Sequence, residues 1–331
     1  MKPQLSILDQ SPVISGHTPA RAVAETVKLA QAAEVLGYHR YWLAEHHAIA
    51  ALADPCPEVL LARLGAETKH LRVGTGGVLL PYYSALKVAE VFRMLEALFP
   101  GRIDLGLGRA PGGNLRTAQA VGGGAMPDAR DFAQQVWQLR EHFHGSLPDD
   151  HPFKRVRLQP EVDTAPQIWL LGSSDYSGAL AAELGLPFAF AHFINPHGGE
   201  AVTRAYREGF KSFNGGKPEV IVCTFAICAE GETDAERLAA PIDLRRLHMA
   251  LDIDSPVPTY EEAARHKYSQ EEKRYVTGQR ARAVIGDAAR CKRELTEMAA
   301  RYEADEMMVL TITGDYASRA RSYELLSEAM R

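Results

Sequence analysis

YWLAEHH, Tyr41 to His47, is an apolar run that stops abruptly on an acid and two imidazoles. A short stretch of β-forming residues ending in ionisable groups is how a parallel barrel strand reads where it delivers side chains to an active site. The stretch therefore predicts an enzyme; a solvated loop is the other reading of Glu45, His46 and His47. Neighbouring residues of an extended chain point to opposite faces, so one histidine at most is expected to face a given pocket. Their spacing predicts no metal pair, because two ligands on one helical face need separations of about three or four residues.

Outward from this stretch the chain alternates strand and helix. Leu5 to Leu8 reads as a first strand, and Thr18-Pro19 as an N-cap followed by proline at the first helical position. Val23, Val27, Ala30 and Ala33 then recur at helical spacing up to Gly37. Tyr41 to Leu43 is the second strand, Pro57 to Thr68 the second helix and Leu71 to Leu80 the third strand. A helix from Ser84 to Phe99 should bury Val88, Val91, Leu95 and Leu98, before Pro100-Gly101 stops it. Ile103 to Leu107, Ile168 to Leu171, Phe188 to Phe190, Val220 to Cys228 and Met307 to Ile312 complete eight strands, with helices over Pro127 to Phe143, Ser174 to Leu184 and Ala288 to Ala300. This rhythm predicts one closed (β/α)8 barrel over 1–331, with a rim insertion after strand seven, and not an open doubly wound sheet. No GxGxxG follows the first strand, which argues against a dinucleotide-binding domain.

Two segments are long for plain connectors. Ala110 to Met126 is rich in glycine and poor in anchors, so it is expected to be mobile or ordered by ligand. The stretch from about 241 to 285 reads as an excursion on the rim, either a lid or a solvated helical decoration.

Hydrophobic residues make up 46% of the 331 positions and the net charge is −5, the profile of a globular protein without the basic footprint of a nucleic-acid binder. No run approaches the roughly 18 apolar residues of a membrane span, and no signal-type apolar region opens the sequence. A cytoplasmic protein is expected. Cys56, Cys223, Cys228 and Cys291 lack CxxC spacing and read as buried thiols in a reducing compartment.

In a barrel the strand C-termini share one face, which here collects Asp9 and Gln10, Glu45 to His47, Thr75-Gly76-Gly77, Arg109, Gly172-Ser173-Ser174 and His192. Gly172-Ser173-Ser174 lies between a strand and a helix, where hydroxyls and free first-turn N–H groups make an anion site, or plain caps. Arg109 ends the preceding strand and can turn its planar fork to the same anion, or to a rim carboxylate. Gly76 and Gly77 stand where interior side chains are usual, so either the backbone lies flat against a planar ligand or the strand bulges.

LDQSP at 8–12, YWLAEHH at 41–47, LRVGTGGVLLP at 71–81, FPGRIDLGLGRAPGG at 99–113 and WLLGSSDYSGALAAELGLPFAFAHF at 169–193 together resemble the bacterial-luciferase-like flavin monooxygenases, most closely a branch of non-luminous oxidoreductases. The resemblance implies a barrel that binds FMN, reduced by a separate reductase, and a dimer through the helices after strands two and three. It implies that Arg109, Ser173, Ser174 and Ser177 hold the flavin phosphate, with Gly172 in the same motif. Gly76-Gly77 would be a non-proline cis peptide abutting the ring, His46 the catalytic histidine, and His192 a residue flanking the ring. GGNLRTAQAVGGG at 112–124 departs from the acidic, helical continuation of that branch, and Gly108 stands in place of the luminous enzymes' reactive cysteine.

The implied chemistry is that of reduced FMN and oxygen, a C4a-hydroperoxide that oxidises a small organic substrate. His46 would manage protons, oriented by Glu45 or a backbone carbonyl. Two rivals stand beside it, a deazaflavin-dependent dehydrogenase of the same superfamily and a non-catalytic flavin-binding protein. A barrel hydrolase lacks any nucleophile motif or metal set.

Overall fold

The computed structural model describes residues 3–109, 112–126 and 128–331. Among them nine strands form one parallel sheet: β1 (Gln4–Asp9), β2 (Arg40–Leu43), β3 (Arg72–Leu79), β4 (Ile103–Gly108), β5 (Gln167–Gly172), β6 (Phe188–Ala191), β7 (Val220–Ala229), β8 (Ala283–Asp287) and β9 (Glu306–Leu310). Eight of them close a ring, β1 through β7 and then β9, which returns to β1. The expected closed barrel is therefore present, and its last strand is β9.

The sequence reading missed β8. β7 pairs with β6 only through Val220–Cys223, so its outer half would be an open edge; Phe225–Ala229 pairs instead with Ala283–Asp287, outside the ring. This five-residue strand falls at the end of the expected rim excursion, too short to stand out beside its arginine-rich approach. The excursion also begins earlier than the expected boundary at 241. A helix over Glu232–Ala250 carries Pro241 in its interior, held to the barrel by Leu238, Ala239 and Ile242. Helices Tyr260–Arg265 and Gln270–Gln279 follow. Between them and the first helix, the chain crosses the mouth: Ser15 N–H donates to the Val257 carbonyl and Val257 N–H to that of Val13, both at 2.8 Å. Ala50 N–H donates to Asp254 Oδ1 at 2.8 Å.

The glycine-rich segment likewise has more structure than expected. Asn114 Oδ1 accepts from Thr117 N–H at 3.0 Å and caps a helix over Leu115–Val121, whose Ala118 is buried. Ala110 and Pro111, part of the same expectation, lie outside the described residues. Cys56 is exposed, whereas the other three thiols are buried as expected. Leu98 is 56% exposed, so the third helix buries Val88 and Leu95 against the barrel but not its last leucine.

Strand alternation builds two cores. Ile7, Tyr41, Val73, Leu105, Leu170, Phe188, Val222 and Val309 pack outward against the helices. Leu8, Trp42, Trp169, Ala189, Ile221 and Met308 point inward. Below them lies a layer of charge: Arg40 Nε donates to Glu306 at 2.9 Å, and Arg40 Nη1 to Asp104 at 2.9 Å and Gln167 at 3.0 Å. Trp42 Nε1 and Arg72 also donate to Asp104. Gly74 is required here, because a Cβ would stand 2.6 Å from that of Asp104.

Removing one member of a buried ion pair strands the other. Asp104→Ala should cost about 3 to 5 kcal/mol of unfolding free energy in denaturant titration. A loss below about 1 kcal/mol would show that Glu306 alone suffices for Arg40.

Candidate functional site

The inward positions shrink toward the strand C-termini. Ala44, Gly76, Gly77, Gly108, Gly172, Ala189 and Ala191 stand where other barrel layers carry large side chains, and they leave a cavity of about 310 Å³ at the mouth. Trp42, Leu8 and Met308 line it with Leu79, Leu171, Phe193 and Cys223; its polar groups include Gln10, Glu45, His46, Arg109, Ser173, Ser174 and Ser177. The Trp42 and Trp169 rings meet edge to face at 5.5 Å. Sequence reasoning missed the apolar wall; the signal was the inward parity of β5, β6, β7 and β9.

Gly76–Gly77 is a non-proline cis peptide, as the resemblance implied. It coincides with a register shift between β3 and β4 at Gly76/Val78. Side chains are barred on both residues: a Cβ on Gly77 would lie 2.5 Å from Leu171 and 2.6 Å from the Gly106 carbonyl, and one on Gly76 2.7 Å from Leu8. The bare peptide thus forms part of the cavity wall.

The neighbouring C-terminal ends of β4 and β5 supply an anion donor set. The helix Asp175–Leu184 starts from Ser174, whose hydroxyl makes no capping bond. Among the described residues no hydrogen bond engages the hydroxyls of Ser173, Ser174 or Ser177, and Arg109 has no carboxylate partner; its guanidinium lies 4.3 Å from the Tyr176 ring centroid. Gly172 and Ser177 depend on each other, since a Cβ at 172 would sit 2.2 Å from Ser177 Oγ. Four uncommitted donors at one helix start match the charge and hydrogen-bond capacity of a phosphate.

His46 lines the cavity and His47 does not, which agrees with the expected opposition of the pair. Their carboxylate partner differs from the expectation. Glu45 is buried and receives His47 Nε2–H at 2.7 Å, Tyr83 O–H at 2.6 Å and Leu79 N–H at 2.8 Å. It fixes the turn after β3 and leaves His46 alone. His46 Nδ1 makes one long contact, 3.4 Å, to the Ala44 carbonyl, which can only accept; the proton therefore sits on Nδ1 and Nε2 is the acceptor. Burial, aided by the Arg245 charge, pulls this imidazole down to about 4. Nearby Asp54, with Oδ2 buried and unpartnered, is pushed up to about 7 by burial.

His192 is not brought to the cavity. It is buried on the far side of β6, where Nδ1 accepts from Tyr302 O–H at 2.8 Å and Nε2–H donates to the Ala281 carbonyl at 3.2 Å. At the end of β6 its ring turns outward, opposite to Ala191. Asp9 is likewise consumed: Ser11 N–H, Thr26, Tyr41 and Arg319 all donate to it. Burial would raise its carboxyl, but the Arg319 charge and these hydrogen bonds hold it low. Among the described residues no cluster of three or more His, Cys, Asp or Glu is placed to hold a metal, and no helix is long and apolar enough to cross a membrane.

A parallel barrel with a bare-backbone slot and uncommitted anion donors at its mouth is the architecture of a barrel enzyme that takes a small molecule at its strand C-termini. The chain belongs to the luciferase-like monooxygenase family, which it matches over residues 4–305, and it is an oxidoreductase. It is 46% identical over 328 residues to YwcH of Bacillus subtilis (strain 168), covering 98% of each chain. It is 36% identical over 329 residues to the N-acetyl-S-alkylcysteine monooxygenase of that organism, covering 99% of this chain and 98% of the other. The structure of apo-MsnO8 matches with a TM-score of 0.88 at 38% identity, over 99% and 98% of the two chains. Two more distant structures share the fold alone. One is the oxygenating constituent of 3,6-diketocamphane monooxygenase of Pseudomonas putida with FMN (18% identity, TM-score 0.73, 99% and 97% covered). The other is an F420-dependent secondary alcohol dehydrogenase (14%, 0.71, 100% of each).

The His46 result sets a titration. Its ring signals in NMR should stay those of a neutral imidazole through pH 5 and titrate near 4. The unfolded chain binds a proton here below about 6.5, so this site withdraws stability as pH falls from there toward 4. A midpoint near 6.5 would show the ring to be solvated.

Proposed function

We propose that the chain is an FMN-dependent monooxygenase acting with O2 on a small organic substrate, with reduced FMN received from a separate reductase. The observation that carries this reading is the uncommitted set Arg109, Ser173, Ser174 and Ser177 at one end of a slot whose wall is the bare Gly76–Gly77 peptide. The set suits the phosphate of FMN, and the glycines suit a planar ring. FMN bound there would supply oxygen activation for transfer of one oxygen atom to the substrate. Leu8, Trp42, Leu171 and Met308 exclude water. His46, neutral at physiological pH, accepts a proton at Nε2 and returns it from there as the imidazolium, while Nδ1–H stays on the Ala44 carbonyl. His47, held by Glu45, stays out of proton transfer.

The most informative relative for substrate is the N-acetyl-S-alkylcysteine monooxygenase, so small thioethers are the class to assay first. Three buried free thiols suit the reducing cytoplasm, where we place the protein. A homodimer is supported by Val59, Met94 and Leu98, which are 68%, 52% and 56% exposed on the helices Pro57–Glu67 and Ala85–Leu98 and line one shallow groove. Val88 and Leu95, on the same helix, are spent on the barrel.

Arg109→Ala should weaken FMN by about 10-fold or more while barely changing riboflavin, as read by fluorescence quenching. Equal losses would remove the phosphate assignment. Oxygen uptake and product analysis with photoreduced FMN test the reaction itself: His46→Ala should keep flavin binding and lower product per O2, with a rate loss on the order of 100- to 10,000-fold. Substrate oxidation that proceeds without O2 would favour the deazaflavin dehydrogenase; undiminished turnover in the variant would make His46 structural.

The dimer is checked separately. Sedimentation should give a two-chain species that Met94→Glu shifts to monomer, and a wild-type monomer at all concentrations would exclude it.

A further inference from the structure

The helix Glu232–Ala250 lays Ile242 against the barrel, and one turn later, on the same face, come Arg245 and Arg246. They are 6% and 7% exposed. Among the described residues the Arg245 guanidinium makes no hydrogen bond and no ion pair, and its Nε is fully buried without a partner. The acid whose charge it feels, Asp254, is itself exposed and receives Ala50 N–H at 2.8 Å. Arg246 reaches only the Gln279 carbonyl, at 3.4 Å, and its buried Nη2 has no partner.

The other deeply buried arginines are treated differently. Arg40 has Asp104 and Glu306, Arg319 has Asp9, Arg140 has Glu141, and Arg93 donates to three backbone carbonyls. Arg280 takes Glu236 and Oδ2 of Asp243, and Asp243 reaches Arg246 through its charge alone, without a hydrogen bond. Each of the other deeply buried guanidinium groups has an ion pair or several carbonyl partners, whereas of these two neighbours on one helix Arg245 makes no hydrogen bond, Arg246 makes one at 3.4 Å, and neither has an ion pair. The Arg246 guanidinium lies 4.5 Å from the Phe225 ring centroid, and Phe225 meets Phe193, a cavity wall residue, at 5.8 Å. Arg245 is close enough for its charge to act on His46, another wall residue.

We propose that Arg245 and Arg246 are the specificity subsite for a carboxylate carried by the substrate. Buried cations are retained where an anion completes them, and a planar guanidinium with free N–H groups matches a carboxylate in geometry as well as charge. Burial pulls both side chains down to about 10, which still leaves them cationic at neutral pH. The flavin phosphate cannot be the intended anion, since its donors are at Arg109 and the helix after β5. The proposal rests on the reading that this cavity is the reaction site, and it extends substrate recognition from the Phe193 wall to the insertion behind it.

The test is equilibrium binding to the full chain, with and without FMN, by calorimetry. The probes are N-acetyl-S-methylcysteine and hexanoate, each beside its neutral partner, the methyl ester and hexanamide. The wild type should prefer a carboxylate over its neutral partner by roughly 10- to 100-fold. Arg245→Gln and Arg246→Gln should each lose most of that preference while binding the neutral form as before, and Arg245→Lys should keep part of it. Thermal melting confirms that the variants fold. Equal binding of charged and neutral forms, no binding of either carboxylate, or an unchanged preference in both glutamine variants would each overturn the subsite. Loss of FMN binding with the carboxylate preference intact would sink the flavin reading alone.

Discussion

Arg40 lies inside the barrel with 5% of its side chain exposed, and Asp104 from β4 and Glu306 from β9 hold it from two sides. A charge in such a place persists only with excellent geometry and satisfied neighbours. The burial that would lower its pKa is outweighed by those two carboxylates, so it stays ionised. Because Asp104 also receives Trp42 Nε1–H, the ion layer fixes the indole directly above it. Trp42 lines the cavity and is braced by Trp169. Depth, width and dryness of the site thus trace back to one guanidinium and the strands it joins.

Above that pair the barrel widens by subtraction. Alanine and glycine occupy inward positions of β3 to β6, and the backbone itself becomes wall at Gly76–Gly77. Three of these positions are closed to larger residues by something specific: Leu171 and the Gly106 carbonyl at 77, Leu8 at 76, Ser177 at 172. The slot is therefore tightly packed on the strand side, while Val257 and Asp254 tie the insertion to the loops after β1 and β2.

Legibility in the sequence followed locality. YWLAEHH was readable because strand, terminus and chemistry are contiguous, and Gly76–Gly77, Arg109 and Ser173 to Ser177 were readable because each sits within a motif at a strand end. β8 was not, since its reason for existing is the unpaired outer half of β7, which no local pattern of AVIGD reveals. His192 was misplaced for a similar reason: its position at the end of β6 is right, but Tyr302, over a hundred residues away, and the Ala281 carbonyl take both ring nitrogens. Of the two orienting partners expected for His46 the structure has the backbone carbonyl, of Ala44, and not Glu45, because His47, Tyr83 and the Leu79 amide take that carboxylate. Composition could not single out Arg245 and Arg246 among so many arginines; what distinguishes them is the bonded partner that each lacks in the fold.

That missing partner links recognition to proton handling. His46 is kept neutral first by burial and second by the field of Arg245. A carboxylate seated on Arg245 would cancel part of that field and bring a negative charge toward the imidazole, both of which favour its protonated form. The free enzyme would then hold His46 as a base, and the enzyme with its anionic substrate would hold a stronger one, closer to physiological pH and better matched to general acid–base work. The same buried guanidinium that leaves the apo site uncompensated would make the arrival of substrate an electrostatic signal at the residue best placed to use it.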